Sequence, residues 1–310
     1  MKALYSASLF VVLFAVACQC TPSKVDDSYY LKPEPETSTE TPQESASDDY
    51  HKGYHLVWAD EFEGSALNTD DWNIEVNGDG GGNNELQYYR AENVSVQNGC
   101  LVLTAKVESY KGKDFTSGRL NTSKKHFFTH GIVESSIRLP KTANGLWPAF
   151  WMLGNDFSSV GWPKCGEIDI LEMGNSQGIK AGTQETFFNG ACHWGFYKNG
   201  AYPNYAKSSN APYSIQDGEF HLFTLIWDEE AVNMYLDLDK NPSAKPYYTM
   251  GITDNDGDWA TGKYFHHDFF IVYDLAIGGN FTGIHNTAGI TALASGPASM
   301  YIDYVRVYQK

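Results

Sequence analysis

Between Gly166 and Gly174 the chain sets three carboxylic acids in an apolar run, Glu167-Ile168-Asp169-Ile170-Leu171-Glu172-Met173. Ile168, Ile170 and Leu171 predict a β-strand. Glu167 and Asp169 are two apart and share a face, while Ile168 and Ile170 take the other. Glu172 follows Glu167 by an odd offset, so a regular strand would turn it into the apolar side, where an unpaired carboxylate costs several kcal/mol. One extra residue, a β-bulge near Ile170-Leu171, restores parity and lines up all three acids. Acids on a solvated strand face are common, but three along one strand repel one another. Such a trio can do acid–base and nucleophilic work at an acetal. One carboxylate attacks the anomeric carbon, and a second protonates the leaving oxygen and later activates water. The middle one hydrogen-bonds the nucleophile and influences which partner holds the proton. Retention of configuration wants the working pair roughly 5–5.5 Å apart. The strand path between Glu167 and Glu172 is about 13 Å, so both long side chains must lean inward over Asp169.

The elements that position these acids read as strands. From Gly53 onward the apolar pattern has period two, with strands predicted at 99–105, 131–139, 220–227, 232–238, 269–275 and 300–308. Asn98-Gly99, Pro140, Asn144-Gly145, Asn199-Gly200, Asp217-Gly218 and Gly278-Gly279-Asn280 punctuate them, and no long amphipathic helix is evident. That pattern predicts an all-β sandwich, one of whose sheets can curve into a groove lined by polar and aromatic side chains. Aromatic residues make up 15% of the chain, with 8 Trp and 20 Tyr, enough to serve both a core and sugar-stacking platforms. The net charge of −16 argues against nucleic acid and against sulfated polymers, which call for Arg and Lys clusters. A neutral polymer suits it better.

The first 52 residues are of another kind. Lys2 followed by an apolar stretch at 9–16 is too short to span a membrane and reads as a signal peptide, 1–17. Ala15-Val16-Ala17 directly before Cys18 is the arrangement of a bacterial lipobox, with Cys18 lipidated. Multiple acyl chains would hold the protein stably on a membrane, and the expected location is outside the cytoplasm, at the outer membrane or cell surface. Residues 18–52, rich in Pro, Ser, Thr and carboxylates, predict a disordered tether, leaving 53–310 as the catalytic body, expected to be a monomer. Beyond Cys18 and Cys20 only Cys100, Cys165 and Cys192 remain. An odd number leaves at least one thiol unbridged, there is no C-x-x-C pair of the kind found in zinc sites, and burial as small apolar side chains is the expected role.

The Glu167–Glu172 motif resembles that of glycoside hydrolase family 16, in its bulged, laminarinase-like E-x-D-x-x-E branch. The resemblance runs over nearly the whole body. It includes Leu56-Val57-Trp58-Ala59-Asp60-Glu61-Phe62, Asn83-Asn84-Glu85-Leu86-Gln87-Tyr88-Tyr89 and Ser117-Gly118-Arg119-Leu120. It continues in Gly145-Leu146-Trp147-Pro148-Ala149-Phe150-Trp151-Met152-Leu153, His193-Trp194-Gly195, Gly278-Gly279-Asn280 and the final Tyr301-Ile302-Asp303-Tyr304-Val305-Arg306-Val307-Tyr308. It implies a β-jelly roll and a retaining endo-hydrolase, with Glu167 as nucleophile, Asp169 as its hydrogen-bonding helper and Glu172 as general acid/base. It implies that Trp147, Trp151 and Trp162 line glucose subsites, that Asn84 and Arg119 bond sugar hydroxyls, and that His193 hydrogen-bonds near Glu172. Catalysis needs no cofactor. A structural calcium is implied on the carbonyls of Glu61 and Gly99 and the side chain of Asp303, oxygen donors of the sort calcium takes. Asp274, where relatives often have Asn, departs from the pattern and could shift pH dependence or subsite preference.

The expected substrate is therefore β-1,3-glucan, mixed-linkage β-1,3-1,4-glucan, or both. A galactan of the agar or carrageenan type is the alternative within the family, and a non-catalytic surface glycan-binding protein the alternative outside it. Trp162 favours glucan in the family pattern. The intact pair Glu167 and Glu172 disfavours a binding module, which has no need of both.

Overall fold

A computed structural model describes residues 49–310. The expectations for the signal peptide, for Cys18 and for the tether up to residue 48 lie outside these residues. The described body begins ahead of the expected boundary at Gly53. Asp49–His51 form a 3-10 turn, in which the Tyr50 hydroxyl donates to Glu134 (3.3 Å) and the His51 ring lies 3.2 Å from the same carboxylate and against Tyr308.

Two sheets pack face to face. The eight-stranded sheet runs, in spatial order, Asn204–Asn210, Phe187–His193, Glu167–Met173, Leu146–Gly154, Phe269–Ile277, Arg119–Asn121 and Asn73–Ile74, with Phe127–Phe128 added beside Phe269–Ile277. The ten-stranded sheet is built around Gly131–Arg138 and Ala298–Gln309, flanked by His221–Trp227 and Cys100–Tyr110. Among the described pairings the ladders are antiparallel except that of Gln87–Tyr89 with Lys113–Ser117. This is the jelly-roll sandwich that the period-two pattern and the resemblance predict. All six strands expected from alternation are present, as Cys100–Tyr110, Gly131–Arg138, His221–Trp227, Ala231–Leu236, Phe269–Ile277 and Ala298–Gln309. The longest described helix has only 6 residues, Ser176–Ala181.

The main core lies between the sheets. Phe150, Met152, Ile168, Ile170, Leu171 and Met173 enter it from the eight-stranded sheet and meet Val133, Ile137, Leu225 and Trp227 from the other. A second, smaller apolar cluster gathers Ala149, Trp151, Leu153, Cys165, Phe270 and Val272, with Trp162 packed on it. Because neighbours along a strand point to opposite faces, Phe150 and Met152 in the core put Ala149, Trp151 and Leu153 on the outer, concave face. Cys100, Cys165 and Cys192 are all buried thiols, as expected.

Candidate active site

The bulge is where parity required it. Across one ladder Phe150 pairs with Leu171 but Trp151 pairs with Asp169, so Ile170 is the extra residue. Across the other, Asp169 pairs with Ala191 and Glu172 with Asn189, with the same shift. Ile170 and Leu171 therefore both enter the core, fully buried, and Glu172 returns to the face of Glu167 and Asp169. The freed backbone needs a partner in an apolar setting, and the Tyr247 hydroxyl donates to the Ile170 carbonyl. Glycines bracket the strand for steric reasons. A Cβ on Gly166 (φ +74°) would meet the Tyr264 carbonyl at 2.9 Å, and one on Gly174 (φ +97°) the Leu146 carbonyl at 2.0 Å.

Each of the three groove tryptophans donates its indole N–H to a carboxylate: Trp147 to Glu172 (3.2 Å), Trp162 to Glu167 (3.1 Å) and Trp151 to Asp274 (2.7 Å). These bonds orient rings and acids together. Trp147 also stacks on Phe281, centroids 4.6 Å apart and planes 14° from parallel, so the protein itself covers one face of that indole. Trp162 stays partly open and leans edge-on to Tyr202.

His193 sits opposite Glu167 in the ladder. The expectation that it bonds near Glu172 needs correction. Its Nε2 lies 3.4 Å from Asp169 Oδ2 and 3.9 Å from Glu167 Oε1, and its Nδ1 lies 3.2 Å from the Tyr202 hydroxyl. The cause is register: Glu167 is the direct ladder partner of His193, whereas Glu172 lies opposite Asn189, further along the neighbouring strand.

Arg119 lies beside Asp274 in the next ladder. Its guanidinium pairs with Glu75 (3.0 Å), approaches Asp274 (4.0 Å) and lies over the Trp151 ring. It balances a cluster in which Tyr89 donates to Glu85 and Asp274, and Gln87 donates to Glu85. Asn84 is exposed at φ +57° and donates to Asn280, which joins the first groove loop to the Gly278-Gly279-Asn280 turn. Among the groups facing the groove, Asp274 was flagged from sequence. Tyr202, Phe281 and Glu85 were not, because ordinary aromatic and acidic residues in loops carry no spacing signal, and neither was Tyr247, which supports the bulge from the core side.

Burial dominates the electrostatics. It pushes Glu167 up to about 8, with repulsion from Asp169 adding to it, while His193, Arg119 and the Trp162 N–H oppose. Asp169 is raised by burial and then by Asp274. Glu172 is raised by burial and then by Asp169. Asp274 is pushed up to about 7 by burial, with Arg119 opposing. Neighbouring buried acids cannot all ionise at low cost. Both working carboxyls are raised by burial and by Asp169, both face His193 and each accepts an indole N–H, so the three acids share protons as one cluster rather than titrating independently.

Glu61, Gly99 and Asp303 lie away from the groove, at the ends or irregularities of neighbouring strands in the other sheet. The Glu61 side chain forms a two-point pair with Arg306, and Asp303 falls at a register shift between Ile302 and Tyr304. The all-oxygen donor set is of the class that fits calcium.

The comparisons with known proteins agree with this geometry. The family model "Beta-glucan synthesis-associated protein SKN1/KRE6/Sbg1" matches residues 31–163, stopping just short of the strand Glu167–Met173. A β-glucanase of Rhodothermus marinus is 35% identical over 265 residues, covering 83% of this chain and 85% of that protein. A family 16 enzyme of Bacteroides ovatus, solved with a mixed-linkage glucan product, superposes with a TM-score of 0.71 at 38% identity, over 81% of this chain and all of that one. The chain belongs to glycoside hydrolase family 16. The chain is also similar to a protein of another kind, the clotting factor G α subunit of Tachypleus tridentatus, 36% identical over 83% of this chain, which spans about a third of that longer protein (34%).

Proposed function

We propose that this family 16 chain is a retaining endo-β-glucanase that cuts β-1,3-glucan, mixed-linkage β-1,3-1,4-glucan, or both. The observation that carries the reading is the pair of carboxyls, Glu167 and Glu172, on one face of a bulged strand, each tied to its own indole, with Asp169 between them. In the first step Glu167 attacks the anomeric carbon from below the ring as the C1–O bond breaks, and the Glu172 proton passes to the leaving oxygen. In the second, Glu172, now a carboxylate, takes a proton from water, whose oxygen displaces Glu167 from the glycosyl ester. A pyranose offers an apolar C–H face to the Trp162 ring and hydroxyls to the polar rim.

Hydrolysis of laminarin, lichenan and agarose side by side tests this. New reducing ends are expected from one or both glucans and none from agarose, and proton NMR of the fresh hydrolysate should show the β-anomer first. Release from agarose alone would favour the galactan alternative, and glucan binding without new reducing ends would favour a binding protein.

The same reading extends to location. Cys18 is proposed to carry lipid and to hold the catalytic body at the bacterial envelope, on a tether. Cys18→Ala should move the protein from the membrane fraction to the soluble fraction of fractionated cells with its hydrolytic activity intact. Retention in the membrane fraction would place the anchor elsewhere.

A further inference from the structure

We infer that Glu167, Asp169 and His193 form a binding site for a divalent transition-metal ion such as zinc, and that the ion and the glucan exclude one another. One ligand atom from each residue lies within 4.8 Å of the other two. An ion held about 2.0–2.2 Å from its nitrogen and oxygen ligands in tetrahedral geometry sets them roughly 3.4 Å apart. The His193–Asp169 edge already has that length, at 3.4 Å, and the His193–Glu167 edge is 3.9 Å. Only the long Glu167 side chain has to swing inward, by about an ångström, to close the set.

A second observation points to a ligand independently of the cluster. Asp169 is only 6% exposed, and its Oδ2, turned toward His193, is buried without a hydrogen-bond partner. A desolvated acceptor of this kind is costly to leave unsatisfied. A third concerns the ring. Tyr202 engages His193 Nδ1 at 3.2 Å, leaving Nε2 directed at the two carboxylates. A metal-ligating imidazole is held in the same way by a partner on its second nitrogen. One imidazole with two carboxylates suits zinc or copper, and the nitrogen disfavours calcium or magnesium. Three protein ligands leave a fourth position for water on the open side of the groove. With Glu167 Oε1 bound to the ion, its lone pair is no longer available to the anomeric carbon. Binding therefore follows from geometry alone, while the inhibition rests on the glucanase reading.

Calorimetric titration of the full chain, stripped of metal and then freed of chelator, with zinc chloride is expected to show one site. His193→Phe and Asp169→Asn should each weaken it by roughly tenfold or more, whereas Glu172→Gln, outside the ligand set, should keep it. A soluble laminari-oligosaccharide should weaken zinc binding. With laminarin as substrate, zinc should raise the apparent KM and leave kcat unchanged. Circular dichroism confirms that each variant is folded, and the two ligand variants stand in for one another if one is not. Zinc binding by both folded ligand variants at wild-type affinity would overturn the assignment, as would no uptake by the wild type at millimolar zinc. An unchanged zinc affinity in the presence of the oligosaccharide would overturn the exclusion. If the wild type cuts no glucan, the functional reading fails while the zinc titration still decides the site.

Discussion

Glu167→Gln and Glu172→Gln should each remove nearly all turnover and at the same time raise thermal stability at neutral to alkaline pH. Loss of general acid/base help at Glu172 costs roughly 10²–10⁴-fold, and loss of the nucleophile at Glu167 removes the covalent route altogether. The two are told apart by an oligosaccharide aryl glycoside whose phenol is acidic enough to leave unprotonated. Glu172→Gln should still release the first equivalent of phenol from it, and Glu167→Gln should release none. The stability gain follows from linkage. The folded carboxyl of Glu167 titrates near 8, against about 4.3 when unfolded. Between those values the folded chain holds a proton that the unfolded chain has lost, so stability falls as pH rises through that window. A glutamine keeps the shape, still accepts from the Trp162 N–H and never ionises. Melting curves at pH 4.5 and pH 8 should show little difference from wild type at the first and a gain on the order of a few kcal/mol at the second. Near wild-type activity in either variant would sink the role assignments, and a lower Tm at pH 8 would sink the electrostatic account.

Arg119→Met should be among the most destabilising substitutions at the groove, at about 3 kcal/mol at pH 8. Methionine fills much of the same space, so the loss is mainly of charge. Without the guanidinium, Asp274 and Glu85, 5% and 4% exposed, keep only neutral donors, and Glu75 loses its 3.0 Å pair. The effect carries a pH signature. Asp274 is raised to about 7 even with Arg119 present, and without it would be raised further, so at pH 5 it can stay protonated and the penalty shrinks. Adding Asp274→Asn should recover part of the loss at pH 8. Urea unfolding of the two single variants and the double variant measures this. Strictly additive losses would mean that the two side chains are not coupled.

The strand Glu167–Met173 was legible because two simple rules collide there. Alternation assigns Ile168 and Ile170 to the core, and an acid at the wrong parity then demands an extra residue. The interior strands 131–139, 220–227 and 269–275 were legible as short apolar and β-branched runs bounded by turn residues, and they are buried along nearly their whole length, on both faces. Asn204–Asn210 was not, because it is an edge strand exposed along almost its whole length and no buried face marks it. The partners of His193 were not legible because sequence spacing alone does not say which acid of the neighbouring strand lies opposite it. The pairing of each tryptophan with a particular acid was equally hidden, since Trp151 and Asp274 lie far apart in sequence and meet only through the ladder between Leu146–Gly154 and Phe269–Ile277. The tyrosine that caps the bulge, Tyr247, comes from outside the eight-stranded sheet altogether.

That sheet presents its working residues in transverse rows. One row runs Glu172, Ala149, Asp274 and Arg119 over four adjacent strands, and a parallel one runs from Ala191 through Asp169 and Trp151 to Val272. Adjacent strands are about 4.8 Å apart, close to the length of a pyranose ring. A sugar chain laid across the sheet is thus measured against the strands as against the marks of a ruler, one ring to about one strand. Each strand can then vary the grip on one ring without disturbing the next, so a scaffold with a single fixed cutting point can be retuned ring by ring.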